Sequence, residues 1–324
     1  MKQAIVGDIG GTHARFALAA CSGDGGLTLS HTAKLKTADH TTLEAAYREY
    51  AASLPVAAPR RAVIAVATAV GQDEIRFTNN PWTFRRTQIA QNLGLERVDI
   101  LNDFGAIARS IPYVGSEHLV AVRDTGQPLP EKGVISVVGP GTGLGVAMLV
   151  RQGDRDTVIE TEGGHIGFAP FDRVEQEIAR RLLGRFLRVS VERLVSGPGF
   201  LMVYEGLAAI EGHAIVPVDD RTLWTKAIDG SDTFARAALE RFCAMLGSAL
   251  GDYALAQGAQ GVVIAGGLVP RFIDVLKASP FLSRFQAKGR FETMMQTIPI
   301  FVCTHPEPGL LGAATSLLEG HDHA

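Results

Sequence analysis

The residues best suited to chemistry lie at the start of the chain, in a turn of glycines that carries one acid and one hydroxyl. The segment Gly7-Asp8-Ile9-Gly10-Gly11-Thr12 stands between two apolar runs, at about residues 3 to 9 and 13 to 20. Because glycine has no Cβ, several backbone N–H groups of such a turn can converge on one anion. A carboxylate such as Asp8 tolerates a nearby phosphate only if a cation lies between them, which indicates a Mg²⁺-nucleotide. An ordinary hairpin in which Asp8 bonds its own turn is equally consistent with this segment alone.

A second glycine turn, Gly139-Pro140-Gly141-Thr142-Gly143-Leu144-Gly145, repeats the pattern of apolar strand, turn and apolar strand. Its glycines recur at every second residue and the segment continues into a strand, whereas a dinucleotide fingerprint opens a helix. The chain also lacks the Gly-x-x-x-x-Gly-Lys-Ser/Thr phosphate loop. A third loop, Gly266-Gly267, follows a buried strand at 261 to 265, and ligands of α/β sheets gather at such strand ends. The three loops favour a nucleotide that lies along a cleft between two domains.

Asn102 and Asp103 lie at the junction of an apolar strand and a helix. A carboxylate there could take the proton of a substrate hydroxyl during phosphoryl transfer, while the neighbouring amide binds a second hydroxyl. Asn and Asp are also common helix N-caps, and for this pair alone the cap is the favoured interpretation.

Two further acids and a histidine could bind hydroxyl groups. In Glu160-Thr161-Glu162-Gly163-Gly164-His165 the glycines allow a ligand to approach the backbone, and Glu162 and His165 suit vicinal hydroxyls, which both donate and accept. Metal binding is the competing interpretation, weakened because no cysteines stand close after His165 to complete a site. Glu192 precedes a Ser-Gly-Pro-Gly turn, and by itself it reads as a surface ion-pair partner of an arginine.

The composition limits the class of partner. The chain has 324 residues, 46% of them hydrophobic and 20% charged, with a formal net charge of -3 and no run of Lys and Arg, so neither nucleic acid nor a membrane surface is expected as a partner. Its three cysteines are far apart, which fits a reducing compartment. No apolar run could span a bilayer and the chain enters a strand directly, so we expect a cytoplasmic protein.

The pattern of elements suggests an internal duplication. Strands at about 3 to 9, 13 to 20 and 27 to 36, a helix from Thr42 to Leu54 and a strand from Ala62 to Ala67 make a βββαβ opening, and the second glycine turn begins a similar series. The loop Asp124–Gly133 is the best candidate linker, with a boundary nearer Ile111 as the alternative. The second half is rich in helix, with predicted helices at Arg173–Leu187, Phe200–Glu211, Asp232–Gln257, Pro270–Ala278 and Gly309–Leu318. The tail Gly320–Ala324 reads as solvated rather than metal-binding.

Taken together, these motifs resemble the bacterial glucokinase family, in the hexokinase-like branch of the sugar kinase and actin superfamily. The resemblance runs from residue 4 to about 318 and rests on six motifs in family order. They are Gly7–Thr12, Leu101–Phe104, Gly139–Gly145, Glu162–His165, Glu192–Gly199 and Ala265–Phe272.

The resemblance implies an α/β fold of two domains, actin-like and ribonuclease H-like, with an interdomain cleft. The small domain would comprise 1–111 plus about 306–324, and the larger domain 112–305. The sugar hydroxyls would be bound by Asn102, Asp103, Glu162, His165 and Glu192, with Asp103 as the catalytic base. The phosphates of ATP would be bound by Gly7, Asp8, Ile9, Gly10, Gly11, Thr12 and Thr142, with Mg²⁺ held by Asp8 through water, and Gly266 and Gly267 would border the adenosine.

The chain departs from the family pattern at three places. The residue after the first glycine turn is usually Asn but is His13 here, and the position where many relatives have Asp, two residues after the sugar-binding histidine, is Gly167. The cysteine-rich zinc motif of the related repressor and kinase group is absent. This indicates the zinc-free branch, and no zinc is expected.

The implied activity is that of a glucokinase, which transfers the γ-phosphate of ATP to the 6-hydroxyl of D-glucose. A kinase for another hexose, such as fructose, mannose or an N-acetylated sugar, is one alternative. Hexoses can differ in the configuration of a single hydroxyl, and small differences in side-chain position decide which configuration is bound. A non-catalytic sugar sensor is another, but it would need a DNA-reading helix-turn-helix for which Met1-Lys2-Gln3 leaves no room. The resemblance suggests a homodimer, with an interface supplied by the helices after Arg173.

Overall fold

The structure is a computed structural model, and it describes residues 2–68, 71–77, 80–123, 125–153, 156–215 and 219–318. The predicted tail Gly320–Ala324 lies outside the described residues. The chain divides into two compact units, the first made of Met1–Val114 with His305–Ala324 and the second of Gly115–Thr304.

The strands are β1 (Lys2–Ile9), β2 (His13–Cys21), β3 (Leu27–Lys36), β4 (Arg61–Val66), β5 (Glu74–Arg76), β6 (Thr83–Arg85), β7 (Arg97–Asn102), β8 (Leu119–Arg123), β9 (Lys132–Pro140), β10 (Leu144–Gln152), β11 (Asp156–Thr161), β12 (Gly261–Ile264) and β13 (Ile300–Cys303). The α-helices are α1 (Leu43–Ser53), α2 (Arg86–Leu93), α3 (Asp103–Ser110), α4 (Arg173–Leu183), α5 (Gly197–Glu211), α6 (Asp220–Asp229), α7 (Thr233–Gln257), α8 (Ile273–Ala278), α9 (Phe281–Gln286), α10 (Glu292–Thr297) and α11 (Pro308–Ala314).

The first unit is built on a five-stranded sheet in the order β3-β2-β1-β4-β7, in which β1, β2 and β3 are antiparallel and β4 and β7 run parallel to β1. Helix α1 packs on one face, where the ring of Phe16 stacks on Tyr50 with centroids 5.3 Å apart. Helix α11 covers the other face through Leu310 and Ala313. Small residues on β1 and β2, such as Ala17, allow this helix to lie close to the sheet.

The second unit repeats this plan. Its sheet has the order β11-β10-β9-β12-β13-β8, again with three antiparallel strands followed by two strands parallel to the first of them. The additional edge strand β8 is antiparallel to β13. Long helices bury this sheet in an aromatic core that includes Phe200, Trp224 and Phe242. The predicted duplication of the βββαβ plan is therefore confirmed.

Several predicted boundaries are wrong. Residues 125–131 join β8 to β9 inside the second unit, so the loop predicted as a linker does not separate the two units. Helix α4 ends at Leu183 rather than Leu187, and Gly184, a weak helix former, follows its last residue. Helix α5 begins at Gly197 rather than Phe200, because the hydroxyl of Ser196 accepts a hydrogen bond from the Gly199 N–H and caps the helix.

Two predicted helices include 3₁₀ turns. The segment predicted as a helix from Pro270 is a 3₁₀ turn at Val269–Phe272 followed by α8, and the last helix gives way to a 3₁₀ turn at Thr315–Leu317. Within the described residues, none of the helices combines the length and the apolar character needed to cross a membrane.

Candidate active site

The turn between β1 and β2 has its carbonyl oxygens bound by the rest of the first unit. The Gly11 oxygen accepts from the Thr37 hydroxyl at 2.8 Å, and the Thr12 oxygen accepts from the Thr37 N–H at 3.0 Å. The Gly10 oxygen accepts from the side-chain amide of Asn80 at 3.5 Å. A turn whose carbonyl oxygens face the protein suits an anion, because carbonyl oxygens repel phosphate. Neither Gly10 nor Gly11 has a left-handed φ, so the backbone conformation of the turn does not by itself require glycine at these positions.

Asp8 lies at the end of β1, directly across the hairpin from Arg15. The Arg15 guanidinium is 3.4 Å from the Asp8 carboxylate and 3.3 Å from the Glu307 carboxylate, which immediately precedes α11. Burial raises the pKa of Asp8 above its usual value, and the nearby Arg15 opposes this shift. Gly309 in the first turn of α11 makes room for the acid, because a Cβ at that position would lie 3.0 Å from the Asp8 Cγ.

The surroundings of Asp8 fit a nucleotide-bound Mg²⁺. Among the residues that the structure describes, no group of three or more His, Cys, Asp or Glu could enclose a metal ion. Mg²⁺ held with a nucleotide needs no such group, since phosphate oxygens and water supply most of its ligands and the protein adds one or two carboxylates. Asp8, with 23% of its side chain exposed beside the glycine turn, offers such a carboxylate.

Asn102 and Asp103 have separate roles at the start of α3. The Asn102 side-chain oxygen accepts from the Gly105 N–H at 2.9 Å and caps the helix, and its amide donates to the Thr68 oxygen at 3.4 Å. Asp103 is the first residue of the helix, and its Oδ1 accepts from the Phe104 N–H at 2.7 Å. The cap interpretation is therefore correct for Asn102, whereas Asp103 presents a carboxylate, oriented by the Phe104 N–H, at the carboxyl end of β7.

In the second unit, the turn between β9 and β10 is bound to the start of α5. The Gly141 N–H donates to the Gly143 oxygen at 2.8 Å, and the Gly141 oxygen accepts from the Gly197 N–H at 2.7 Å. Thr142, at the tip of the turn, is exposed. The segment is a strand-turn-strand, as the alternating glycines predicted.

The third loop emerges beside this turn. Strand β12 runs parallel to β9 with Ile264 opposite Val138, so the two strands end at the same edge of the sheet. Gly266 follows with φ +89°, a conformation that favours glycine, and a Cβ on it would lie 3.7 Å from the Pro140 oxygen. The loop predicted to border adenosine and the second glycine turn therefore adjoin each other.

Three of the predicted sugar-binding residues form one cluster in the second unit. His165 Nε2 is 3.9 Å from a Glu162 oxygen, and His165 Nδ1 is 3.8 Å from Glu192 Oε1. Glu162 and His165 are exposed, and 30% of the Glu192 side chain is exposed. Glu192 Oε2 accepts from the Leu144 N–H at 2.9 Å, so the interpretation of Glu192 as a surface ion-pair partner of an arginine is wrong.

A short antiparallel contact holds the cluster in place. Gly167 forms a β-bridge with Ser190, and the Glu192 N–H donates to the Gly164 oxygen at 3.0 Å. From α7, the Tyr253 hydroxyl donates to the Gly163 oxygen at 2.9 Å. Gly167 faces the guanidinium of Arg188, whose Nη2 would lie 3.8 Å from an added Cβ.

Sequence reasoning missed several residues that hold these groups. Arg15 could have been found, because a hairpin with its turn at 10–12 puts residue 15 opposite Asp8. Thr37, Tyr253 and Glu307 come from distant parts of the chain and carry no local motif.

Comparison with known proteins identifies the family. The sequence model described as Glucokinase matches residues 5–320. The glucokinase of Zymomonas mobilis subsp. mobilis is 48% identical over 309 residues, which are 95% of this chain and 95% of that protein. Among solved structures, a glucokinase from an Antarctic psychrotroph is 34% identical with a TM-score of 0.87, covering 99% of this chain and 100% of that one.

A more distant structure shares the fold. The ROK family glucokinase from Streptomyces griseus, solved in complex with glucose and AMPPNP, has a TM-score of 0.66 at 19% identity and covers 98% of this chain and 100% of that one. The predicted α/β fold class of the actin-like sugar kinases is confirmed, as is the predicted resemblance. Because the family model matches nearly the whole sequence, the chain belongs to the glucokinase family.

Proposed function

We propose that this chain transfers the γ-phosphate of ATP to the 6-hydroxyl of D-glucose and releases glucose 6-phosphate and ADP. The observation that carries the proposal is family membership over residues 5–320, in a chain that retains an oriented carboxylate, Asp103, at the first turn of α3. Two glycine turns of the kind that bind phosphate support it.

Asp103 is the proposed catalytic base. Its carboxylate accepts the proton of the glucose 6-hydroxyl while that oxygen forms a bond to the γ-phosphorus, and the bond from the γ-phosphorus to the β–γ bridging oxygen breaks. The hydrogen bond from the Phe104 N–H orients the carboxylate, which favours proton transfer along one direction. General-base catalysis of this kind contributes about 10²- to 10⁴-fold to the rate.

The remaining sugar hydroxyls are proposed to bind Asn102, Glu162, His165 and Glu192. Carboxylates accept from hydroxyls, and an imidazole or amide can donate to them, so this set can satisfy hydroxyls that both donate and accept. The 3.8 and 3.9 Å distances within the cluster leave the three side chains adjacent without a short bond between them.

The nucleotide is proposed to bind the glycine-rich loops, its phosphates at Gly7–Thr12 and Thr142 and its adenosine beside Gly266 and Gly267. Asp8 would hold Mg²⁺ through water, and the bound ion would offset negative charge on the phosphate oxygens. Backbone N–H groups of the turns would contribute to the same stabilisation from fixed positions.

We further propose that the protein acts in the cytoplasm as a homodimer. The cysteines Cys21, Cys243 and Cys303 are all buried and lie far apart in the chain, which suits a reducing compartment. Several large hydrophobic side chains along and around α4 are exposed, and such exposure favours an interface there.

Replacement of Asp103 tests the mechanism. Asp103→Asn keeps the size of the side chain and an oxygen for the Phe104 N–H, but an amide cannot act as the base. We expect kcat to fall by about 10²- to 10⁴-fold while the glucose Kd changes by less than about tenfold. Calorimetric titration with glucose and a coupled assay for ADP measure the two quantities. A variant with a near-normal kcat would remove Asp103 from the proposed role.

A further inference from the structure

Glu192 contacts both the sugar-binding cluster and the second glycine turn. Its Oε2 accepts from the N–H of Leu144, the first residue of β10, at 2.9 Å. Its Oε1 lies 3.8 Å from His165 Nδ1. One carboxylate thus joins the loop proposed for the nucleotide to the residues proposed for the sugar.

Backbone contacts hold the segment of Glu192 against its neighbours. The Glu192 N–H donates to the Gly164 oxygen at 3.0 Å. Gly164 in turn packs closely against Leu144, because a Cβ on Gly164 would lie 2.2 Å from the Leu144 oxygen. Leu144, Gly164 and Glu192 therefore form a closed set of contacts, and a displacement of one segment is transmitted to the other two.

Two glycines of the turn differ in what surrounds them. A Cβ on Gly143 would lie 2.6 Å from Glu192 Oε2, whereas a Cβ on Gly141 would have no atom within 4 Å apart from its own chain neighbours. Neither residue has a left-handed φ, so alanine suits the backbone at both positions. The absence of a side chain at Gly143 leaves the space that the Glu192 carboxylate occupies.

We propose that Glu192 positions the second glycine turn for the nucleotide as well as binding the sugar, and that Gly143, within that turn, sets the affinity for sugar. The inference rests on the proposed function, since it takes Glu192 as a sugar-binding residue. Its physical basis is the hydrogen bond from Leu144: a carboxylate that accepts a backbone N–H fixes the end of the turn, and the turn fixes the carboxylate.

A matched pair of alanine variants tests the role of Gly143. Gly143→Ala displaces the Glu192 carboxylate, so the glucose Kd, measured by calorimetry without nucleotide, should rise by about tenfold or more. Gly141→Ala introduces the same methyl group two residues away into open space, and its glucose Kd should stay within about twofold of the wild-type value. Equal glucose Kd values for the two variants would overturn the role of Gly143.

A second pair tests the role of Glu192 toward the nucleotide and does not depend on how Gly143→Ala folds. Glu192→Gln retains an oxygen for the Leu144 N–H, whereas Glu192→Ala leaves that donor without its acceptor. We expect the Kd of AMPPNP with Mg²⁺, measured without sugar, to rise by about tenfold in Glu192→Ala and to stay within about twofold of wild type in Glu192→Gln. Both variants should bind glucose more weakly. A wild-type nucleotide Kd in Glu192→Ala would restrict Glu192 to the sugar.

The wild-type protein in the same titrations separates this inference from the proposed function. Binding of neither glucose nor AMPPNP by the wild-type protein would contradict the proposed function itself. Binding of both, with glucose Kd values that match in the two glycine variants and nucleotide Kd values that match in the two Glu192 variants, would overturn the inference alone.

Discussion

Asn102 caps helix α3 through its side-chain oxygen, and Asp103 follows as the carboxylate in the first turn of that helix. The residue types predicted both possibilities, because Asn and Asp favour helix starts and also bind hydroxyls. Only the geometry assigns the cap to one of them. Arg15 shows the opposite case, since its pairing with Asp8 follows from hairpin register, while its second partner Glu307 could not be predicted from any nearby motif.

His13, which follows the first glycine turn, should make nucleotide binding depend on pH. Burial lowers the pKa of His13 below 6.5, and the neighbouring charges of Lys34, Arg15 and Lys36 lower it further, so the ring is largely uncharged at neutral pH. Phosphates bound at the turn would favour the protonated ring and raise this pKa in the complex. Protons are then taken up on binding, and nucleotide affinity should increase as pH falls through the interval between the two pKa values.

The comparison of wild type with His13→Asn measures this effect. The Kd of AMPPNP with Mg²⁺ is determined for both proteins between about pH 5.5 and pH 8, the interval in which histidine titrates. The titration of the nucleotide cancels in the ratio of the two affinities. We expect the ratio to favour the wild-type protein by about threefold or more at the acid end relative to the alkaline end. A ratio that does not vary with pH would show that His13 does not respond to the bound phosphates.

At the scale of elements, close approach between helices positions the candidate base. A Cβ on Gly312 of α11 would lie 1.6 Å from the Ala106 oxygen of α3, so glycine is required where the two helices meet. The strands and most helices followed from apolar periodicity and the glycine turns. The ends of the helices could not be predicted in this way, because a cap such as Ser196 acts through a single hydroxyl and does not change the apolar periodicity.

The exposed apolar residues on and near α4 are Ile166, Phe171, Leu183 and Leu187, of which Leu187 is fully exposed. They are proposed as the face through which the proposed dimer forms. Light scattering after size exclusion should give a mass near twice the 34.5 kDa of the chain. Leu187→Glu places a charge in this face and should weaken association by about a hundredfold or more, because an unpaired charge is costly to bury.

A charge on an exposed apolar residue of the first unit serves as the control for this experiment. Val56 is 52% exposed, and Val56→Glu should leave the mass unchanged. A wild-type protein that stays monomeric at high concentration would contradict the dimer, and a dimeric Leu187→Glu variant would move the interface away from this face.

At the scale of the whole molecule, the sequence predicted both the duplicated plan and the family. The plan rests on a repeated order of strands and helices, and the family rests on six motifs spread along the chain. Six short motifs in order are specific in a way that Gly10-Gly11-Thr12 alone is not. The identity of the sugar is a different kind of property. In the proposed site it depends on small differences in the positions of Glu162, His165 and Glu192, since the configuration of one hydroxyl separates glucose from mannose.

The rate of ADP release with a panel of hexoses and Mg²⁺-ATP tests the central claim most directly. The wild-type protein should release ADP with glucose at the highest kcat/KM of the panel, with one glucose 6-phosphate formed for each ADP. Fructose, mannose and N-acetylated sugars should give lower values, because each alters a hydroxyl that the site is proposed to bind. A higher kcat/KM with another hexose would contradict the assignment of glucose, and saturable glucose binding without ADP release from any sugar would contradict catalysis and leave a sugar sensor.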